Sequence, residues 1–145
     1  MRVLVLCHGS VNRSPFVAGL IRKERPNWHV RVAGLHTRFG RPATPKAKRA
    51  AAALGFSLEE HRSEPVSGTM IDWADVVLYM DGGNKKRLQG LVDQATMESK
   101  CRLLASYGSL RRVPDPNYTS DPEELRRMFS VAELCTMKFL EAHPA

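Results

Sequence analysis

Residues 2–6 read RVLVL, a nearly unbroken run of Val and Leu that stops abruptly at Cys7-His8-Gly9-Ser10. So short an apolar run, with no alternation of polar residues, fits a strand covered on both faces, as in a parallel sheet. A parallel strand needs a crossover, and one follows directly. Ser14-Pro15 opens PFVAGLIRKER, with Ser in the N-cap position and Pro in the first turn. The chain therefore begins strand, tight loop, helix, and the alternation continues. His29 to Ala33 (HVRVA) reads as a second strand, followed by the Gly- and Pro-punctuated loop GLHTRFGRP. Thr44-Pro45 caps the helix KAKRAAAAL, which Gly55 ends. Asp75 to Met80 (DVVLYM) is a third strand, and NKKRLQGLVDQA a helix after Asp81-Gly82-Gly83. Arg102 to Ala105 (RLLA) is a shorter fourth strand. Beyond RRVPDPNYTS, Asp121-Pro122 caps the long amphipathic segment EELRRMFSVAELCTMKFLEA. Strands alternating with helices predict an α/β fold with a parallel sheet wrapped on both sides.

No internal repeat, low-complexity tract or linker interrupts the pattern, so one domain is expected over residues 1–145. Hydrophobic residues make up 43% and charged residues 26% of the chain, which predicts a packed core rather than disorder. Twenty-two Lys and Arg against fifteen Asp and Glu leave a net charge of +7, which favours anionic partners such as phosphorylated groups. With no apolar run of membrane-spanning length and no leader-like start, a cytoplasmic protein without membrane contact is expected. Cys7, Cys101 and Cys135 are too few and scattered for a disulfide framework and read as free thiols. The histidines show no i, i+4 pair, so no metal site is expected.

The loop Cys7 to Ser14 occupies the place where α/β sheets bind ligands, beyond the carboxyl end of a strand. Its amides, at the mouth of the following helix, can converge on an anion, and the helix dipole adds positive charge. Arg13 can present its planar fork to two phosphoryl oxygens. Both features favour a thiolate at Cys7, making it a nucleophile near neutral pH. Ser14 can donate a hydrogen bond to the sulfur as it leaves. A cysteine at a strand end is otherwise a small buried hydrophobe, and a Cys-x5-Arg spacing alone arises by chance. Yet the residues six places after Cys101 and Cys135 are Tyr107 and Glu141, so only the cysteine after the first strand has the arginine.

Cleaving a phosphate ester through such a cysteine also takes an acid for the leaving oxygen. VPDPNY offers Asp115, held between Pro114 and Pro116. Its rival, Asp121, precedes Pro122, Glu123 and Glu124 at the head of a long helix and reads as an N-cap.

Taken in order, CHGSVNRSP, GRPATPKA, LGFSLEEHRSEPVS, MDGGN and VPDPNY resemble the low-molecular-weight protein tyrosine phosphatase family over essentially the whole chain. The resemblance implies a three-layer α/β/α sandwich with a four-stranded parallel sheet, the phosphatase loop lying between strand 1 and helix 1. It implies a two-step, cofactor-free hydrolysis of phosphotyrosine through phosphocysteine, with inorganic phosphate as product. Cys7 is then the nucleophile, Arg13 the phosphate clamp and Asp115 the acid and base. His8, Gly9, Ser10, Val11, Asn12 and Ser14 form the cup, with Tyr118, and Phe39 or His36, on the rim. His61 and Ser63 match a supporting segment.

Two departures matter. The family's C-x-G-N-x-C-R-S has Ser10 at its asparagine and Asn12 at its second cysteine. A looser loop is expected from the first, and no resolving thiol for oxidised Cys7 from the second. Val11, where phosphoarginine-specific members carry Thr, favours an aromatic ester. A phosphotyrosine protein is the expected partner, such as the acidic tyrosine cluster of a kinase tail.

Three other readings compete. An arsenate reductase of this fold needs paired relay cysteines, and residues 80–100 contain none. A phosphocysteine carrier needs neither Arg13 nor Asp115. A catalytically weak phosphopeptide-binding module fits the basic surface, whereas nucleic acid is disfavoured because KAKR and NKKR lack interleaved aromatics.

Overall fold

The computed structural model describes residues 1–145. Four parallel strands, β1 (Arg2–Cys7), β2 (His29–Gly34), β3 (Val76–Tyr79) and β4 (Cys101–Leu103), lie in the order β2-β1-β3-β4. Six α-helices connect them: α1 (Arg13–Glu24), α2 (Pro45–Ala53), α3 (Gly68–Trp73), α4 (Gly82–Gln89), α5 (Gln94–Lys100) and α6 (Pro122–Ala142).

The period of two along β1 sorts its side chains between two cores. Val3, Val5 and Cys7 pack with Phe16 and Val17 of α1, Ala47 of α2 and Phe139 of α6. Leu4 and Leu6 pack with Met70 and Ile71 of α3, Leu88 of α4 and Met97 of α5. Val3 to Leu6 are fully enclosed, as their unbroken apolar run requires. The expected three-layer sandwich is thus α1, α2 and α6 on one face, and α3, α4 and α5 on the other.

This strand order places the site. The chain leaves β1 toward β2 on one side, and β3 joins β1 on the other, so the order reverses at β1. The crevice beyond its carboxyl end is the ligand-binding position of such sheets, and Cys7 is the last residue of that strand.

Several local expectations shift. Helix α1 begins at Arg13 with Asn12 at its N-cap, so Ser14 lies inside the first turn rather than capping it. The predicted helix over 84–95 is two helices: α4 stops at Gly90, and Asp93 caps α5 by accepting from the Thr96 amide at 2.8 Å. β4 starts one residue earlier than expected, and Leu104–Gly108 turns as a 3₁₀ segment instead of extending the strand. The short helix α3, capped by Ser67, whose Oγ accepts from the Met70 amide at 3.3 Å, was not expected.

Candidate active site

The loop from Cys7 to Ser14 closes around the sulfur. Cys7 is 3% exposed, and its Sγ lies 3.3 Å from the Ser10 amide and 3.4 Å from the Ser14 amide, both donating to it. Ser14 Oγ stands 3.1 Å from Sγ and 3.3 Å from Ser10 Oγ. With a thiol, this relay runs from sulfur to Ser14 to Ser10. With a thiolate, both hydroxyls can rotate and send their protons toward the sulfur. Ser10 and Ser14, expected in the cup, are bonded to the sulfur and to each other, whereas His8, Gly9, Val11 and Asn12 line the cavity with Cys7 and Arg13.

Ser10 adopts a left-handed backbone with φ of 56°. Asn enters that region more readily than Ser, which fits the asparagine of the resembling pattern. The loop is nonetheless braced. The His61 ring Nε2 donates to the Ser10 carbonyl at 2.6 Å, and Thr44 Oγ1, the N-cap of α2, donates to the Asn12 side-chain oxygen. These contacts hold the loop at Ser10 and at Asn12. Burial holds His61 below the ordinary imidazole range. Its bond to Ser10 opposes that effect, while Arg22 and Arg62 reinforce it. The neutral ring is thus favoured, and it keeps one N–H for Ser10.

Arg13 is 3% exposed and reaches two structures at once. Its Nη1 donates to Asp81 Oδ2 at 2.7 Å and to the Val113 carbonyl at 2.9 Å, while Nη2 lies 3.6 Å from Asp115 Oδ2. The other oxygen of Asp81 accepts from the Asn84 amide at 2.8 Å, so one carboxylate both caps α4 and aims the guanidinium. Burial pushes the Asp81 carboxyl up, but the Asn84 amide, the bond and charge of Arg13, and the Gly83 amide outweigh it and hold the group below the usual carboxylate range. Removing Asp81 would leave the buried guanidinium without its closest counter-charge.

Asp115 lines the same cavity as Cys7 and Arg13. Its Oδ1 accepts from the Asn117 amide at 3.0 Å, and Oδ2 faces Arg13. Asp121, by contrast, accepts from the Glu123 amide at 3.2 Å as the N-cap of α6, the structural role its sequence indicates. The loop carrying Asp115 is tied down from α2: Lys46 Nζ donates to the Pro116 carbonyl at 2.9 Å and the Thr119 carbonyl at 2.7 Å.

The cavity has a volume of about 720 Å³. Tyr118, 85% exposed, and His36 stand on its rim, and the His8 and His36 rings stack at 5.2 Å. Phe39, expected on the rim, faces a neighbouring depression instead. Sequence reasoning left three contributors without a role. Asp81 was detectable as the second residue after β3, at the ligand-binding end of the sheet. The Lys46 tether and the Val113 carbonyl left no local signal. No group of three His, Cys, Asp or Glu side chains is arranged to hold a metal ion, and no helix is long and apolar enough to cross a membrane.

A family model described as low molecular weight phosphotyrosine protein phosphatase matches residues 2–143. The low molecular weight protein-tyrosine-phosphatase Wzb of Salmonella typhi is 31% identical over 142 residues, covering 97% of this chain and 93% of that one. A probable low molecular weight protein-tyrosine-phosphatase, EpsP of Ralstonia nicotianae, is 37% identical over 87 residues, which is 60% of each chain. In three dimensions, the tyrosine phosphatase Wzb from Escherichia coli K30 in complex with sulphate superposes with a TM-score of 0.90 at 24% identity, over 99% of this chain and 98% of that one, and so shares the fold. The chain belongs to the low molecular weight phosphotyrosine protein phosphatase family.

Proposed function

We infer that this protein is a cysteine-dependent protein-tyrosine phosphatase, with Cys7 as nucleophile, Arg13 as phosphate clamp and Asp115 as acid and base. The observation that carries the reading is the convergence on one cavity of a sulfur receiving two amide hydrogen bonds, a buried guanidinium and a loop carboxyl.

In the first step the Cys7 thiolate attacks phosphorus, and the bond from phosphorus to the tyrosyl oxygen breaks. Asp115 must enter this step protonated, and its proton goes to the departing phenolate. Arg13 and the loop amides hold the equatorial oxygens as charge redistributes. In the second step water attacks the phosphocysteine, Asp115 accepts the water proton, the S–P bond breaks and inorganic phosphate leaves. The hydroxyls of Ser14 and Ser10 stabilise the sulfur anion that departs. Asp81 acts through Arg13, keeping the fork directed into the cup. The branched side chain of Val11 gives the cup an apolar wall suited to an aromatic ester. The three free thiols fit a reducing compartment and support a cytoplasmic enzyme. A protein carrying phosphotyrosine, such as an acidic kinase tail, suits the basic surface.

Release of phosphate from para-nitrophenyl phosphate and from phosphotyrosine peptides tests the reading. Wild type should turn over both, and Cys7→Ser neither while still binding phosphate. Binding without turnover in wild type would make the domain a phosphopeptide reader instead.

A further inference from the structure

Next to the catalytic cavity lies a second cleft of about 450 Å³, lined by His36, Thr37, Arg38 and Arg41 and by nothing apolar. It shares His36 and Arg41 with the cavity that holds Cys7. Neither Arg38 nor Arg41 belongs to any of the seven ion pairs of the molecule. The backbone that carries them is fixed from below by buried Ser63. Ser63 Oγ donates to the Arg38 carbonyl at 2.6 Å and accepts from the Arg41 amide at 2.9 Å. The Ser63 amide donates to the Arg41 carbonyl at 2.8 Å, and the Ser63 carbonyl accepts from the Gly40 amide at 2.9 Å. Two guanidinium groups without counter-charge thus stand on a firmly held turn beside the cup.

The phosphoryl group undergoing reaction does not use this cleft. Arg13 and the loop amides serve that group, and the carboxylates of the cavity, Asp81 and Asp115, both face Arg13. We propose that the Arg38–Arg41 cleft is a second anion subsite, receiving a phosphate or carboxylate on a residue close to the phosphotyrosine, so that multiply charged tyrosine segments are the preferred substrates. The proposal rests on the phosphotyrosine phosphatase reading above. Planar forks on a fixed turn suit a second phosphate or carboxylate, which each can engage through two N–H groups. The partial exposure of the cleft keeps the gain modest and makes it salt-sensitive.

The test compares kcat/KM for three peptides alike except beside the phosphotyrosine: one with neutral neighbours, one with glutamate, one with a second phosphotyrosine. The expected preference for the charged peptides over the neutral one is about tenfold, the scale of one charge-assisted contact. Arg38→Gln, which alters the cleft but not the catalytic cavity, should abolish that preference and leave hydrolysis of the neutral peptide and of para-nitrophenyl phosphate unchanged. Arg41→Gln should also reduce the preference. A larger gain from phosphotyrosine than from glutamate assigns the subsite to phosphate, and equal gains assign it to any anion. Equal kcat/KM for all three peptides in wild type, or an equal loss on all three in Arg38→Gln, overturns the proposal while para-nitrophenyl phosphate turnover keeps the phosphatase reading intact. Calorimetric binding of the same peptides to Cys7→Ser protein makes the comparison without turnover, so failure of the phosphatase reading still leaves the cleft tested.

Discussion

The two loops that meet over Cys7 are built in opposite ways. Every residue from Ser10 to Ser14 is buried, and the loop is tied to the sulfur, to His61 and to Thr44. The loop from Val113 to Ser120 places Asn117 and Tyr118 in solvent, with Asp115 28% exposed. Its principal outside ties are the Val113 amide to the Met80 carbonyl at 2.8 Å, the Val113 carbonyl to Arg13, and Lys46. In the proposed mechanism, phosphate capture is thus part of the core, whereas proton delivery hangs on a surface strap. Defects in the first loop should affect every ester. In kcat/KM, which reports the first step, those in the second loop should appear only when the leaving group needs a proton.

Among variants that keep Cys7, Arg13→Lys should cause the largest loss, about 10²–10³-fold in kcat/KM, similar for esters with good and poor leaving groups. A loss confined to poor leaving groups would erase the contrast between the loops. Asp115→Asn comes next. For phenyl phosphate kcat/KM should fall about 10²-fold, while for a dinitrophenyl ester, whose phenolate leaves unaided, kcat/KM should be nearly unaffected and only kcat should fall, because the second step still needs Asp115 as base. Equal rates of wild type and variant on phenyl phosphate would remove Asp115 from the mechanism.

Lys46 sharpens the comparison further, because it touches the strap and no reacting atom. Lys46→Met should lower kcat/KM for phenyl phosphate by about tenfold through misplacement of the acid and leave kcat/KM for the dinitrophenyl ester unchanged, with Lys46→Arg recovering part of the loss. Equal slowing of both esters would indicate a general structural defect instead.

The smallest effect is on stability. Because the carboxyl of Asp81 is held below its unfolded value, it binds its proton more weakly in the folded protein. Its ionised form contributes stability above the unfolded value of about 3.9, and that contribution disappears as pH falls through the folded value. Asp81→Asn should therefore lower Tm by several degrees at pH 7, with the gap to wild type narrowing below about pH 4. A gap that widens with acid would reverse the sign assigned to Asp81.

The same contrast explains what the sequence made legible. Cys7, Arg13 and the cup between them are contiguous, so strand, loop and helix signals sufficed to read them together. The strap's Asp115 stood out through its flanking prolines. The tie from Lys46 to Pro116 spans 70 residues, and the pair of Arg13 and Asp81 spans 68. Contacts at that separation depend on the packed sheet rather than on local pattern. The N-cap expected at Ser14 falls at Asn12 for a related reason: a Ser-Pro pair is a strong local capping signal, yet here the Ser14 hydroxyl is bonded to the sulfur. Gly90 divides α4 from α5 because Asp93 offers a new cap three residues on, a local signal masked by continuous helical composition.

The most direct measurement is rapid acid quench of wild-type enzyme during turnover of an aryl phosphate, followed by mass spectrometry of the peptide containing Cys7. The expected result is a transient phosphoryl group on Cys7 that forms and decays at the turnover rate and accumulates in Asp115→Asn when a good leaving group is used. Steady release of phosphate with Cys7 never phosphorylated, or with the phosphoryl group on another residue, would contradict the assignment of Cys7 as nucleophile.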